Sequence, residues 1–232
     1  MKKPSIVLQT DFGLTTGFVS SMYGVIKMVD DDLYISDLNH EIRPFDMRQG
    51  AFLLADTIPY WRPGTIFVSV VDPGVGTARR ACVAKLKNGS YIVTPDNGTL
   101  TAMIDEVEAV REIDETVNRL RGSEKAGTFH GRDIFAYTAA RLASGVIDYA
   151  GVGPEYPKSE IVLFHTEKGT VAPGRADGAI AGSLKHFGGI STNITVDDFE
   201  KTGIVYGDHA RVTVEKDDGL RSEERRVGKE CR

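Results

Sequence analysis

The sequence predicts an α/β protein: an N-terminal domain with a largely parallel sheet, then a smaller all-β, barrel-like domain. Through roughly the first 150 residues, short apolar runs alternate with stretches of helical periodicity, the pattern of strands joined by crossover helices. Two of those runs end in an aspartate with a glycine close behind, at Asp11-Phe12-Gly13 and Asp72-Pro73-Gly74, which is where open α/β sheets place their ligands. After about Lys168 the composition shifts to Gly, Val, Thr and Asp, and short alternating runs replace the helices.

Taken in order, residues 5–9 (S-I-V-L-Q) read as the first strand. Residues 17–28 read as a helix, with Val19, Met22, Val25 and Ile26 on one face. A second strand is expected at 33–37 and a helix at 46–58, where Ala51, Leu54, Ala55 and Ile58 recur at helical spacing. Residues 65–71 are continuously apolar apart from Thr65 and Ser69, as a strand covered on both faces is. Residues 81–86 and 91–94 form a hairpin around Asn88-Gly89, and 95–98 (P-D-N-G) a turn. A helix opens near Gly131 and continues through 134–142. Beyond it, residues 178–184, 203–206 and 210–214 read as antiparallel strands. The expected boundaries are an N-terminal α/β domain at 1–165, a linker at 166–173 and a C-terminal β domain at 174–220.

Residues 221–232 (R-S-E-E-R-R-V-G-K-E-C-R) lack apolar periodicity and resemble the translation of a DNA-sequencing adapter. They are expected to be foreign, with the natural chain continuing past Leu220 and the β domain therefore incomplete.

Composition excludes several classes. A net charge of −5 over 232 residues gives no reason to expect nucleic acid or an anionic membrane as partner. The absence of an eighteen-residue apolar run and of a signal peptide leads to the expectation of a cytoplasmic protein. Cys82 and Cys231 are too few for a disulfide framework. His40, His130, His165, His186 and His209 show neither H-x-H nor H-E-x-x-H spacing, so no metal site is expected. Asp11-Phe12-Gly13 spells the kinase metal-binding triplet, but no other kinase motif accompanies it. Gly74 to Thr77 is Gly-rich without G-K-[ST].

The residues with chemistry are Asp72 at a strand end, Arg79 and Arg80 returning toward it, and His130 within Thr128–Asp133. Together Asp, Arg and His can hold and deprotonate a water; either Asp72 or His130 can be the base. Asp11 can accept hydrogen bonds from two neighbouring hydroxyls. Phe45 and Phe187 are either apolar walls of a site or core aromatics.

In shared order, T-D-F-G (10–13), R-P-F-D (43–46), V-D-P-G-V-G-T (71–77), P-D-N-G (95–98), F-H-G-R-D (129–133) and F-G-x-x-x-T-N-I (187–194) resemble one family. It is the S-adenosyl-L-methionine hydroxide adenosyltransferases, hydrolase relatives of the fluorinating and chlorinating adenosyl-transfer enzymes. The resemblance runs from about Ser5 to Lys216. It implies a water-activating triad of Asp72, Arg79 and His130, with Arg79 preferred over its neighbour Arg80 as the arginine. It also implies that Asp11 binds the ribose and that Phe45 and Phe187 face ribose and adenine. Gly189 stands where the family often has an adenine-contacting Asn, and an acidic residue expected near Leu184 is absent. The implied reaction is hydrolysis of S-adenosyl-L-methionine to adenosine and L-methionine, with no cofactor, in homotrimers whose sites lie between subunits. The halide-using relatives carry Ser at the position of Gly131 and Tyr at that of Asp72, so this chain resembles the hydrolases at both. Halide transfer and non-catalytic binding of adenosine or S-adenosylmethionine are the alternatives.

Overall fold

Six strands from the first 112 residues pair into one sheet in the computed structural model, which describes residues 3–125, 127–165, 168–184, 189–216 and 219–226. The strands are β1 (Ile6–Thr10), β2 (Ile35–Asn39), β3 (Ile66–Val70), β4 (Ala81–Leu86), β5 (Tyr91–Pro95) and β6 (Val107–Glu112). Their order is β2-β1-β3-β5-β4-β6. The first four of that order run parallel, while β4 is antiparallel to both its neighbours.

Every residue of β1 and β3 is buried, which is why both read as unbroken apolar runs. Successive side chains go to opposite faces. Ile6 and Leu8 meet Met22 and Ile26 of α1 (Phe18–Val29) and Ala139 and Ala140 of α3 (Tyr137–Ser144). Val7 and Phe67 join the other core, with Leu54 of α2 (Met47–Thr57). Helix α2 begins where Asp46 caps it, its side chain accepting the Gln49 N–H. From β1 the chain crosses to β2 on one side, then to β3 on the other. The loops after β1 and β3 therefore leave adjacent strand ends at a switch point, where such sheets bind ligands.

Three elements differ from expectation in this unit. The second strand is displaced two residues, because pairing of Ile35 with Ile6 sets its register rather than the apolar run from Leu33. Strand β6 was not anticipated: Glu108, Arg111 and Glu112 interrupt the buried Val107 and Val110, as suits an edge. Ahead of α3, residues Gly131–Ala136 form a π-helical turn rather than regular helix, with His130 as its N-cap.

The chain divides into two units, 1–164 and 165–232. The described residues of the second form three two-stranded antiparallel sheets: β7 (Thr170–Ala172) with β8 (Arg175–Asp177), β9 (Ile180–Leu184) with β10 (Gly189–Thr192), and β11 (His209–Lys216) with β12 (Gly219–Arg226). The five-residue helix α4 (Val196–Glu200) stands among them. The class is thus mixed α/β, with a parallel-rich sheet and small antiparallel sheets. Strand β7 falls inside the stretch expected to be a linker, and β12 runs into the stretch expected to be foreign. Residues 203–206 are not a strand. Gly203, at φ +74°, closes the end of α4 with its N–H on Glu200 O, and Val205 N–H then binds Asp208 Oδ2. A side chain has taken the donor that a strand partner would need.

Among the described residues no helix is long and apolar enough to cross a membrane.

Candidate active site

Asp72 lies two residues beyond β3, and Asp11 one residue beyond β1. Thr10 pairs with Val70, so the two carboxylates emerge side by side. The end of β3 is fixed by Asn97, whose side-chain amide donates to Val71 O at 2.8 Å. The P-D-N-G turn therefore has a job that the sequence marked without explaining.

The loop after Asp72 folds back on itself. Val75 N–H returns to Asp72 O, and Thr77 N–H and Oγ1 both donate to Gly74 O. Gly76, at φ +77°, passes so close to the 127 peptide that a Cβ would stand 2.8 Å from Gly127 O, so only glycine fits. These turns bring Arg79 against Asp72. Its Nε lies 3.1 and 3.0 Å from the two carboxylate oxygens, and its Nη2 lies 2.6 Å from Oδ2. The guanidinium also sits over the Phe135 ring, 5.2 Å from its centre. Both side chains are nearly dry, at 5% exposure for Asp72 and 10% for Arg79.

The same Nη2 reaches His130 Nδ1 at 2.9 Å. Arginine only donates, so Nδ1 is the acceptor and the imidazole is neutral, with its proton on Nε2. Burial holds the His130 pKa below its ordinary value, and the neighbouring Arg79 charge lowers it further. Arg79 is thus the bridge that joins the aspartate to the histidine. Arg80 points elsewhere: it pairs with Glu160 at 2.8 Å and covers the Tyr156 ring.

Gly131, next to His130, packs beneath an aromatic cluster of Phe12, Phe18 and Phe129. A Cβ there would stand 3.0 Å from two atoms of the Phe12 ring. Phe12 was not singled out from sequence, although it sits inside the T-D-F-G motif.

Asp11 Oδ2 accepts the Phe45 N–H at 2.9 Å. Burial nonetheless pushes the Asp11 pKa up, the Phe45 bond opposing it and the Asp72 charge adding to it. Phe45 adopts φ +66°, the one non-glycine positive φ among the described residues, and it is 63% exposed. It is therefore no core aromatic. Gly189 opens β10 in the second unit. Phe187 lies outside the described residues. Among the described residues no group of three or more His, Cys, Asp or Glu is placed to hold a metal ion. Cys82 is buried, its thiol pushed up to about 12 chiefly by burial, and it takes no part in this arrangement.

The chain is 41% identical over 190 residues to the (R)-S-adenosyl-L-methionine hydrolase of Salinispora tropica, a match covering 81% of this chain and 70% of the relative. It is 34% identical to the hydrolase of the same name from Methanocaldococcus jannaschii, over 83% of this chain and 68% of that one. A fluorinase from an Actinoplanes species is 29% identical over 91% of this chain and 78% of its own length. Among solved structures, an uncharacterized conserved protein from Thermotoga maritima superposes with a TM-score of 0.86 at 34% identity, covering 97% of this chain and 82% of that one. Residues 6–153 match the SAM hydroxide adenosyltransferase N-terminal domain, and the chain belongs to that family.

Proposed function

We propose that this protein is an S-adenosyl-L-methionine hydrolase, forming adenosine and L-methionine by attack of an activated water on C5′ of the ribose. The observation that carries the reading is Arg79 bound at once to Asp72 and to His130. The name shared by relatives at 34–41% identity supports the substrate and the reaction.

The leaving group departs as neutral methionine, so no acid is needed at sulfur. The barrier lies in producing and aligning hydroxide. His130 Nδ1 is occupied by Arg79, whereas the Asp72 carboxylate keeps lone pairs free beside its Arg79 bonds. Asp72 is accordingly the acceptor of the water's proton, and His130 Nε2–H orients the water as a donor. Arg79 stabilises the hydroxide as it forms, with most force where water is excluded. The oxygen attacks C5′, the C5′–S bond breaks with its electron pair going to sulfur, and the proton held by Asp72 passes to solvent. Asp11 binds the ribose 2′- and 3′-hydroxyls, and the exposed Phe45 ring covers the sugar. Proximity then contributes much of the rate. No metal or other cofactor enters this chemistry.

Chromatography of the products after incubation with S-adenosyl-L-methionine and chloride or fluoride tests the reading. Adenosine and methionine are expected. A 5′-halo-adenosine would replace it with halide transfer, and unchanged substrate would leave a binding role.

A further inference from the structure

The loops after β1 and β2 are laced together by a hydrogen-bond chain, buried at Thr10 and His40 and open to solvent at Asp37, that the chemistry above does not use. Thr10, the last residue of β1, is fully buried, and its hydroxyl lies 2.8 Å from His40 Nδ1. The same oxygen accepts the Phe12 N–H at 3.2 Å. His40 is also buried, and its Nε2 stands 2.8 Å from Asp37 Oδ1. A carboxylate only accepts, so Nε2 carries a proton and donates to Asp37, while Nδ1 and the Thr10 hydroxyl share the second hydrogen bond of the ring. His40 O, in turn, accepts the Gly13 N–H at 2.8 Å. Asp11 is therefore bracketed. The residue before it holds the N–H of the residue after it, and His40 holds both Thr10 and Gly13. Five residues past His40, the same loop sends the Phe45 N–H to the Asp11 carboxylate.

We infer that His40, acting through Thr10, is a positioning residue that aims the Asp11 carboxylate at the substrate's ribose, an inference that rests on Asp11 being the ribose ligand. Asp11 lies just past the last ladder pair of β1, so the sheet does not fix it. The chain from Asp37 through His40 and Thr10 to the 11–13 backbone supplies what the ladder does not. Where such a network is buried, as at Thr10 and His40, every group needs its partner, and loss of the Thr10 hydroxyl strands both His40 Nδ1 and the Phe12 N–H.

The test uses Thr10→Val, which removes the hydroxyl at nearly constant shape, and Thr10→Ser, which keeps it. Thr10→Val is expected to raise the KM for S-adenosyl-L-methionine about tenfold, with a smaller fall in kcat, and to weaken adenosine binding by a similar factor. Amide exchange at Phe12 and Gly13 should quicken, and Thr10→Ser should restore most of each loss. In an Asp11→Asn background Thr10→Val should add less than about a twofold further effect, because both act through one carboxylate. Wild-type KM, adenosine affinity and exchange in Thr10→Val would overturn the inference, as would a loss that simply adds to that of Asp11→Asn. Should Thr10→Val fail to fold, His40→Asn, which keeps an acceptor near the Nδ1 place, is compared with His40→Phe. The first should bind adenosine close to normally and the second weakly, and equal affinities would overturn the inference. Absence of turnover in the unmodified chain, with the Thr10 effect on adenosine binding intact, would instead remove the functional reading alone.

Discussion

Arg79→Ala should do more damage than any other single change at the site, and for a reason that can be separated from lost catalysis. The guanidinium makes three hydrogen bonds to Asp72, one to His130 and a cation–π contact with Phe135. With it gone, a carboxylate that is 5% exposed has no counter-ion. Removing one partner of such a pair costs about 3–5 kcal/mol of stability, most of it the stranded charge. Turnover should fall by about a hundredfold or more, the scale of a lost electrostatic stabiliser. Denaturant unfolding and steady-state kinetics give the two numbers. The diagnostic variant is Asp72→Asn with Arg79→Ala. It should be more stable than Arg79→Ala alone, because the stranded charge is gone, while remaining as inactive. The pH dependence carries a second signature. Burial and Arg79 hold the His130 pKa below its ordinary 6.5, so the unfolded chain takes up that proton first as the pH falls. This group's contribution to stability is therefore full above about pH 6.5 and is lost as the pH falls from there toward the lower folded-state value. Without Arg79 the folded value rises toward 6.5, and the acid-side loss due to His130 should shrink. Arg79→Ala within about 1 kcal/mol of wild type at neutral pH, or no gain from adding Asp72→Asn, would refute the buried-bridge argument.

Other expectations are more local. Asp11→Asn should raise KM and lower kcat together, since a neutral amide accepts fewer hydrogen bonds and misaligns C5′; unchanged kinetics would remove Asp11 from the ribose. Gly131→Ser should destabilise by about 1–3 kcal/mol, because its Cβ would meet the Phe12 ring at 3.0 Å, and Phe12→Leu should recover part of that in the double variant; additive melting shifts would deny the contact. Phe45→Gly should leave stability within about 1 kcal/mol, since the ring is exposed and glycine accepts φ +66°, yet weaken substrate binding; calorimetry showing unchanged affinity would return Phe45 to a surface role. Turnover should survive exhaustive chelation with EDTA, and a loss restored by zinc or magnesium would reveal a metal step.

What could be read in advance follows from how local each determinant is. Strands β1 and β3 are buried on both faces, and that alone writes an unbroken apolar run into the sequence. The return of an arginine to Asp72 is a seven-residue event, spelled by Pro73, Gly74 and Gly76 in the loop between them. The choice between Arg79 and Arg80 is not spelled there, because it depends on the facing of the chain as it enters β4. Arg80 immediately precedes Ala81, and neighbours on an extended chain diverge, so one arginine turns to Asp72 and the other to Glu160. The approach of His130 from 51 residues away is tertiary; residue chemistry suggested the grouping, and the family resemblance singled out Arg79 as its arginine. The Thr10–His40 bond, across 30 residues, left no trace in spacing at all. The misread segment at 203–206 shows the converse. Its Ile-Val-Tyr run is β-prone in composition, but Glu200 and Asp208 offer nearer hydrogen-bond acceptors than a strand partner would.

Strain marks the point where local and tertiary demands meet. Phe45 would ordinarily avoid a positive φ, and a residue held there costs on the order of 1 kcal/mol. In R-P-F-D, Asp46 must cap α2 through the Gln49 N–H, which fixes the chain on one side of Phe45. Asp11 claims the Phe45 N–H from the other. Between these two bonds the backbone turns left-handed at Phe45, and the ring is exposed to solvent rather than buried in the core. A fold optimised for stability alone would place glycine at that turn. The proposed contact with the ribose would account for an aromatic at that turn.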